Sequence, residues 1–212
     1  MRCILRVWMI AFLSGMSLTS LGLASTGEPT ALVKETTGKV LAILEDPQWQ
    51  GLEKREQRQE RLRKIADSMF DWEEMSRRAL ATHWRERTPE EQKEFVELFT
   101  DLVERSYIHR LEGAAEQRKD ILYFDEQLDA SRAVVKTKVV TKRNLEVPIE
   151  YRLHKPSGQW QIYDVVIEGV SLVNNYRSQF NRIIQTSSYK ELIQKMKAKR
   201  IEGAPGPERK AR

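Results

Sequence analysis

The segment Gly158–Phe180, which reads GQWQIYDVVIEGVSLVNNYRSQF, changes its periodicity part way and decides the fold. Up to Glu168 it predicts a strand that is apolar on both faces, with Trp160, Ile162 and Val166 on one face and Tyr163, Val165 and Ile167 on the other. From Gly169 the pattern becomes that of a turn, and Ser171 can cap a helix that follows at helical spacing. A strand with two apolar faces is covered on both sides, so we expect a layer of protein, or of protein and ligand, over each face.

Three more strand-like runs precede this one, and all four are joined by short polar connectors. The runs are Ile121–Leu128, Arg132–Thr141, Leu145–His154 and Gln159–Glu168. Because the connectors have the length of hairpin loops, the sheet is predicted to be an antiparallel meander. Pro148 lacks a donor for the sheet ladder, so it is expected at a bulge or an edge.

Helical patterns stand on both sides of the strands. One helix follows Thr30 and ends before Pro47, a charge-rich segment covers Leu52–Met69, and Asp71 and Thr88 can each cap a further helix; two more helices follow the sheet. The charge run of the second segment predicts a solvated helix face whose only apolar stripe is Leu62, Ile65, Ala66 and Met69. The fold class is therefore α+β: a curved antiparallel four-stranded meander packed against several helices and enclosing an apolar cavity.

The two ends of the chain differ from its body in composition. Residues 1–24 combine Arg2 and Arg6 with an apolar run and a small-residue cleavage pattern, which predicts a secretory signal peptide; a membrane anchor is the competing interpretation. Residues 25–201 are predicted to form a single domain, and residues 202–212 a disordered basic tail. Without residues 1–24 the chain has 34 basic and 31 acidic residues and no cysteine, so we expect neither disulfides nor nucleic-acid binding.

No pattern of a catalytic, cofactor or metal site is present in the sequence. It has no nucleophile elbow, phosphate loop or dinucleotide fingerprint, and His83, His109 and His154 are too far apart for metal-ligand spacing. We therefore predict no catalytic residue, no cofactor and no metal. Asp164 is the one acid that shares a strand face with apolar residues, so it is either a general base with a raised pKa or a hydrogen-bond acceptor that fixes the strand-to-helix corner.

Two motifs resemble one known family. The stretch WQIYDVVIEGVSLV from Trp160 and the sequence TPEEQ at Thr88 are similar to the MlaC family, also called toluene-tolerance auxiliary proteins, over roughly residues 30–199. The resemblance implies a periplasmic carrier of phospholipid that works between an inner-membrane ABC transporter complex with a lipid-binding ring and an outer-membrane lipoprotein-porin complex. It also implies that the acyl chains lie between sheet and helices, with the head group outside.

Periodicity, and not the family motif, predicts which residues line the cavity. The predicted lipid-binding residues are Phe95, Phe99 and Val103 on the long helix, Val135 and Val139 on the second strand, and Val147, Ile149 and Tyr151 on the third. Each of them can equally belong to a plain core. Three other functions stay open: a hopanoid or other lipid carrier of the same family, a cone-shaped α+β enzyme that uses Asp164, and an adaptor whose own side chains fill the cavity.

Overall fold

The structure is a computed structural model that describes residues 27–201, the side chain of His109 apart. The predicted signal peptide (1–24) and the predicted disordered tail (202–212) lie outside the described residues. Within these residues we find no helix whose length and apolar character would allow it to cross a membrane.

Helices form at both ends of the described chain. They are α1 (Glu28–Glu45), α2 (Arg55–Met69), α3 (Trp72–Leu80), α4 (Pro89–Gln117), α5 (Leu172–Thr186) and α6 (Tyr189–Lys197). The predicted caps are present: Thr88 and Glu91 form a complete capping box at the start of α4, and Asp71 accepts a hydrogen bond from the backbone N–H of Glu74. The carboxylate of Glu74 does not reach back to Asp71, because it pairs with Arg77 and Arg78.

The sheet is an open antiparallel meander of five strands, and the prediction of four was wrong. The strands are β1 (Arg118–Asp129), β2 (Arg132–Thr141), β3 (Glu146–His154), β4 (Gln161–Ile167) and β5 (Val170–Ser171), and they pair in that order. Glu168 and Gly169 have φ values of 49° and 82°. Two consecutive residues with positive φ make a tight hairpin turn, so the chain pairs once more with β4 before α5 begins.

The register of the sheet puts the predicted inward-facing residues on one face. Val135 lies opposite Tyr151 and Val139 lies opposite Val147 on neighbouring strands. Directly opposed residues of an antiparallel pair point to the same side, so these four side chains share a face. On β4, Val165 continues this row from Tyr151.

Pro148 lies neither at a bulge nor in an edge strand, which corrects the expectation from its missing donor. It pairs with Lys138 in β3, the middle strand of the sheet, and its carbonyl accepts a hydrogen bond from the backbone N–H of Glu168. Because β4 already ends at Ile167, Pro148 faces the turn beyond that strand, where no ladder donor is needed.

The interior consists of two apolar clusters. A helical cluster joins α3, α4, α5 and α6 around aromatic rings, with Phe95 5.9 Å from Phe99 and 5.7 Å from Phe180 between ring centroids. A second cluster packs Val33 of α1 and Met69 of α2 against the sheet. The space between the two clusters is where the pockets described next are found.

Candidate functional site

An apolar pocket, here called the inner pocket, lies between α2, α4 and one face of the sheet. Its volume is about 210 Å3. Its walls are Leu62, Ile65, Ala66 and Met69 of α2, Val103, Glu104, Tyr107, Ile108 and Leu111 of α4, Ile149, Tyr151, Val165 and Ile167 of the sheet, and residues of α1, α3 and α5. Among the described side chains of this lining, Glu104 is the only charged residue, so the pocket suits an apolar ligand.

A second pocket, here called the outer pocket, continues this space toward the C-terminal half of α4. Its volume is about 350 Å3. It shares Tyr107, Leu111, Ile149, Ile167 and Leu172 with the inner pocket, and it adds Val139, Thr141 and Val147 from the sheet and Arg110, Gly113, Ala114 and Gln117 from α4. The five shared residues make the two pockets neighbouring parts of one apolar region, and Arg110 is the only charged residue among the described side chains of the outer pocket.

Five of the eight residues predicted to bind lipid line these pockets. Val103 and Tyr151 line the inner pocket, Val139 and Val147 the outer one, and Ile149 both. Phe95, Phe99 and Val135 are fully buried elsewhere: the two rings pack in the helical cluster, and Val135 packs in the cluster on the sheet. These three residues line neither pocket, and contact with a ligand stays a prediction for all eight.

The wall contributed by α2 was not among the residues predicted to bind lipid. Leu62, Ile65, Ala66 and Met69 recur at intervals of three, one and three residues, the spacing of one helical face. The sequence therefore contains the apolar stripe that forms this wall. The many charged residues of the helix led to the prediction of a solvated face and not of a pocket wall. On the other faces of α2, Lys64 and Glu60 do form an exposed ion pair of 2.9 Å.

Two ion pairs join α2 to α4 beside the inner pocket. Arg58 Nη2 lies 2.7 Å from Glu112 Oε1, with the two side chains 11% and 16% exposed. Arg63 Nε lies 3.1 Å from Glu104 Oε2, although the direction of its N–H does not make a hydrogen bond. The two helices are thus joined by ion pairs, while the described side chains of α2 and α4 that line the pocket are apolar except for Glu104 and Tyr107.

Burial changes the acid-base properties of three groups in the pocket walls. Loss of water raises the pKa of Glu104 to about 7, and the nearby Arg63 guanidinium opposes this rise. Loss of water also raises the pKa of the Tyr107 and Tyr151 phenols to about 12. Both phenols are therefore neutral at physiological pH, and the described residues of the walls include no permanently charged anion.

The structure assigns Asp164 to the corner between sheet and helix. Its carboxylate accepts hydrogen bonds from Ser171 Oγ at 2.7 Å, from the backbone N–H of Val173 at 3.1 Å and from Arg152 Nη1 at 3.2 Å. Ser171 in turn accepts a hydrogen bond from the backbone N–H of Asn174 and so caps α5. The Asp164 side chain is 5% exposed and accepts hydrogen bonds from these three donors, so it stabilises the corner between β4 and α5. It lines neither pocket.

No cluster of ligating side chains suited to a metal ion is found in residues 27–201. The same residues offer the pockets no paired acids or nucleophile with a base: the inner pocket has one carboxyl group, and the outer pocket has one guanidinium. The arrangement is suited to binding apolar molecules.

Comparison with known proteins agrees with this geometry. A curated relative, the "Intermembrane phospholipid transport system binding protein MlaC" of Haemophilus influenzae, is 24% identical over 123 residues, which are 56% of this chain and 57% of the relative. The chain thus aligns with just over half of that protein's length. A solved structure of the phospholipid-binding protein from Ralstonia solanacearum, in complex with a phospholipid, is 26% identical with a TM-score of 0.66, and the match covers 79% of this chain and 94% of that one. The family model described as "MlaC protein" matches residues 34–198, and the chain therefore belongs to the MlaC family.

Proposed function

We propose that this chain is a periplasmic carrier that binds phospholipid by its acyl chains and moves it between complexes of the inner and outer membranes. The acyl chains would occupy the inner and outer pockets, and the partners would be an inner-membrane ABC transporter complex with a lipid-binding ring and an outer-membrane lipoprotein-porin complex. The observation that carries the proposal is the continuous apolar region between α2, α4 and the sheet. The phospholipid bound to the similar Ralstonia protein supports it.

The physical chemistry of the pockets fits a carrier better than an enzyme. Each methylene group removed from water contributes about 0.8 kcal/mol, so even one acyl chain of ordinary length is held strongly against escape into water. Relative to a membrane, where the chain is already out of water, the preference is far smaller. Such a site retains its ligand during transit and exchanges it at a membrane complex, which is the behaviour that a carrier needs.

The first test is to identify what the pockets hold. The chain is purified without added lipid, the bound lipid is extracted and identified by mass spectrometry, and uptake from vesicles with labelled phospholipid is measured. We expect phospholipid in the extract and uptake of the label. A hopanoid in the extract would change the cargo, and an extract without lipid together with no uptake would refute the carrier.

A pair of variants links that result to the pockets. Ile149→Trp fills the space shared by both pockets, whereas Val134→Trp places the same ring at a half-buried position of β2 that points to the other face of the sheet. We expect the Ile149 variant to lose most of its lipid and the Val134 variant to keep it, with circular dichroism showing that both are folded. Equal lipid content in folded variants would place the ligand elsewhere.

A further inference from the structure

The two pockets differ in the charged residue that lines each of them. This difference favours one orientation of a ligand that has a charged end and an apolar end. Of the described side chains, the inner pocket carries one carboxyl group, that of Glu104, and the outer pocket carries one guanidinium, that of Arg110. Both residues belong to α4 and are six positions apart, which corresponds to about 9 Å along the helix axis. An anionic group on an otherwise apolar ligand is therefore attracted to the Arg110 end of the region, and it meets no cation among the described side chains that line the inner pocket.

Arg110 is available to bind such a group. It is exposed, and its guanidinium carbon lies 5.2 Å from the ring centroid of Tyr107, which lines both pockets. In the part of the chain that the structure describes, no carboxylate pairs with Arg110, whereas Arg58, Arg63 and Arg105 each pair with an acid. Stacking on the ring orients the guanidinium and leaves its N–H groups for an anion.

The surroundings of Arg110 leave room for a head group. Gly113, Ala114 and Gln117 follow it along the helix, and Thr141 and Asn175 line the same pocket. A Cβ atom added at Gly113 would meet no atom within 4 Å, so this side of the pocket is open. The polar side chains near the mouth can donate to ester or phosphate oxygens, while the deeper walls stay apolar.

We propose that Arg110 holds the phosphate group of the bound lipid at the mouth of the outer pocket, with the acyl chain running from there toward Glu104 in the inner pocket. The inference rests on the proposed function and adds to it an orientation and a specificity-determining residue. The ligand class is an acyl lipid with a phosphate ester. A neutral glyceride with the same chain fits the pockets but lacks the group that Arg110 binds.

The test compares two probes that differ only in the phosphate. After detergent exchange has removed bound lipid, the protein is titrated with a lysophosphatidic acid and with a monoacylglycerol that carry the same fluorescent acyl chain, each below its micellar concentration. We expect the wild-type protein to prefer the phosphate-bearing probe by about tenfold, the size of one hydrogen bond to a charged group at an exposed position. Arg110→Gln should remove this preference and leave affinity for the monoacylglycerol unchanged.

Further variants and a competitor separate the possible explanations. Arg110→Lys should keep part of the preference and Arg110→Glu should reverse it, whereas Arg85→Gln, which changes an exposed arginine outside both pockets, should match the wild type. Inorganic phosphate at the concentration of the probe should not displace it, because the free anion lacks the acyl chain.

The outcomes that overturn the proposal differ from those that overturn the function. If the wild-type protein binds both probes equally, or if Arg110→Gln weakens both probes alike, Arg110 does not recognise the phosphate although the chain still binds lipid. If inorganic phosphate displaces the probe, Arg110 is a general anion site and the proposal fails. If the wild-type protein binds neither probe, the carrier function itself is refuted.

Discussion

Glu104 provides a quantitative test of the pocket walls, because its pKa connects burial to stability. Its side chain is 9% exposed, and burial in the pocket wall raises its pKa from 4.5 to about 7. Asp67 and Asp101 raise it further by repulsion, and Arg63 lowers it by attraction. The neutral carboxylic acid is therefore the form that the folded protein favours near neutral pH.

The sign of the effect follows from the direction of the shift. Between the unfolded pKa of 4.5 and the folded pKa of about 7, the folded chain holds one proton more than the unfolded chain. Stability from this group is thus complete below pH 4.5 and is lost as the pH rises through about 7, at about 1.4 kcal/mol per pH unit. The loss accumulates to a value on the order of 3 kcal/mol by about pH 8.

Replacing Glu104 by glutamine removes the titration and keeps the shape of the side chain. We expect urea unfolding, followed by tryptophan fluorescence at about pH 5 and pH 8, to show that the free energy of unfolding falls less in Glu104→Gln than in the wild type. The difference between the two falls should be on the order of 3 kcal/mol. Glu97→Gln, an exposed position on the same helix, should behave as the wild type.

A parallel pH dependence in Glu104→Gln and the wild type would refute this reasoning, because it would mean that Glu104 is hydrated in the folded chain. Lipid binding gives an independent measurement. An acyl chain in the inner pocket removes the remaining water from the carboxyl group, so it should bind more weakly at pH 8 than at pH 6 in the wild type. Glu104→Gln should bind it equally at both values.

Three further substitutions test the parts of the fold that position the pockets. Asp164→Asn weakens three hydrogen bonds at the β4–α5 corner, and we expect it to lower the free energy of unfolding by roughly 3 kcal/mol in urea titrations while the purified protein still contains lipid. Thr88→Ala removes the cap of α4 and should lower the same quantity by about 1 kcal/mol; no change would mean that Glu91 alone caps the helix. Gly38→Ala should raise it by about 1 kcal/mol, because a Cβ at this position of α1 meets no atom within 4 Å and alanine favours the helix.

Local rules were sufficient to predict most of the secondary structure. The bounds of β2 were predicted to the residue, and the caps at Thr88 and Ser171 both accept the expected backbone hydrogen bonds. Strand bounds and helix caps depend on residues within a few positions of one another, so they can be predicted from the sequence without knowledge of the tertiary structure. The fifth strand was not predicted because the turn before it needs a positive φ at Glu168, and glutamate rarely adopts a positive φ.

The pocket walls were harder to predict, because a wall and a core have the same periodicity on a helix. Phe95 and Phe99 were predicted to line the cavity with Val103, and all three continue one stripe of α4. The core part and the pocket part of this stripe differ in the residues that pack opposite each turn of α4. Opposite the two rings, α5 presents Tyr176 and Phe180, whose rings lie within 6 Å of them and fill the space.

The chain leaves the apolar region open where α4 passes from its helical neighbours to the sheet. After Val103 the stripe continues through Tyr107 and Leu111, and these two residues line the outer pocket together with the branched side chains of Val147 and Ile149 on a strand. Gly113 and Ala114, which follow on α4, have small or no side chains, so they leave space on the helix side of the pocket as well. An apolar stripe that meets large aromatic rings becomes core, and one that meets short branched side chains and small residues becomes the wall of a pocket. The size of the opposing residues, which only the tertiary structure pairs with α4, therefore decides where a ligand has room to bind.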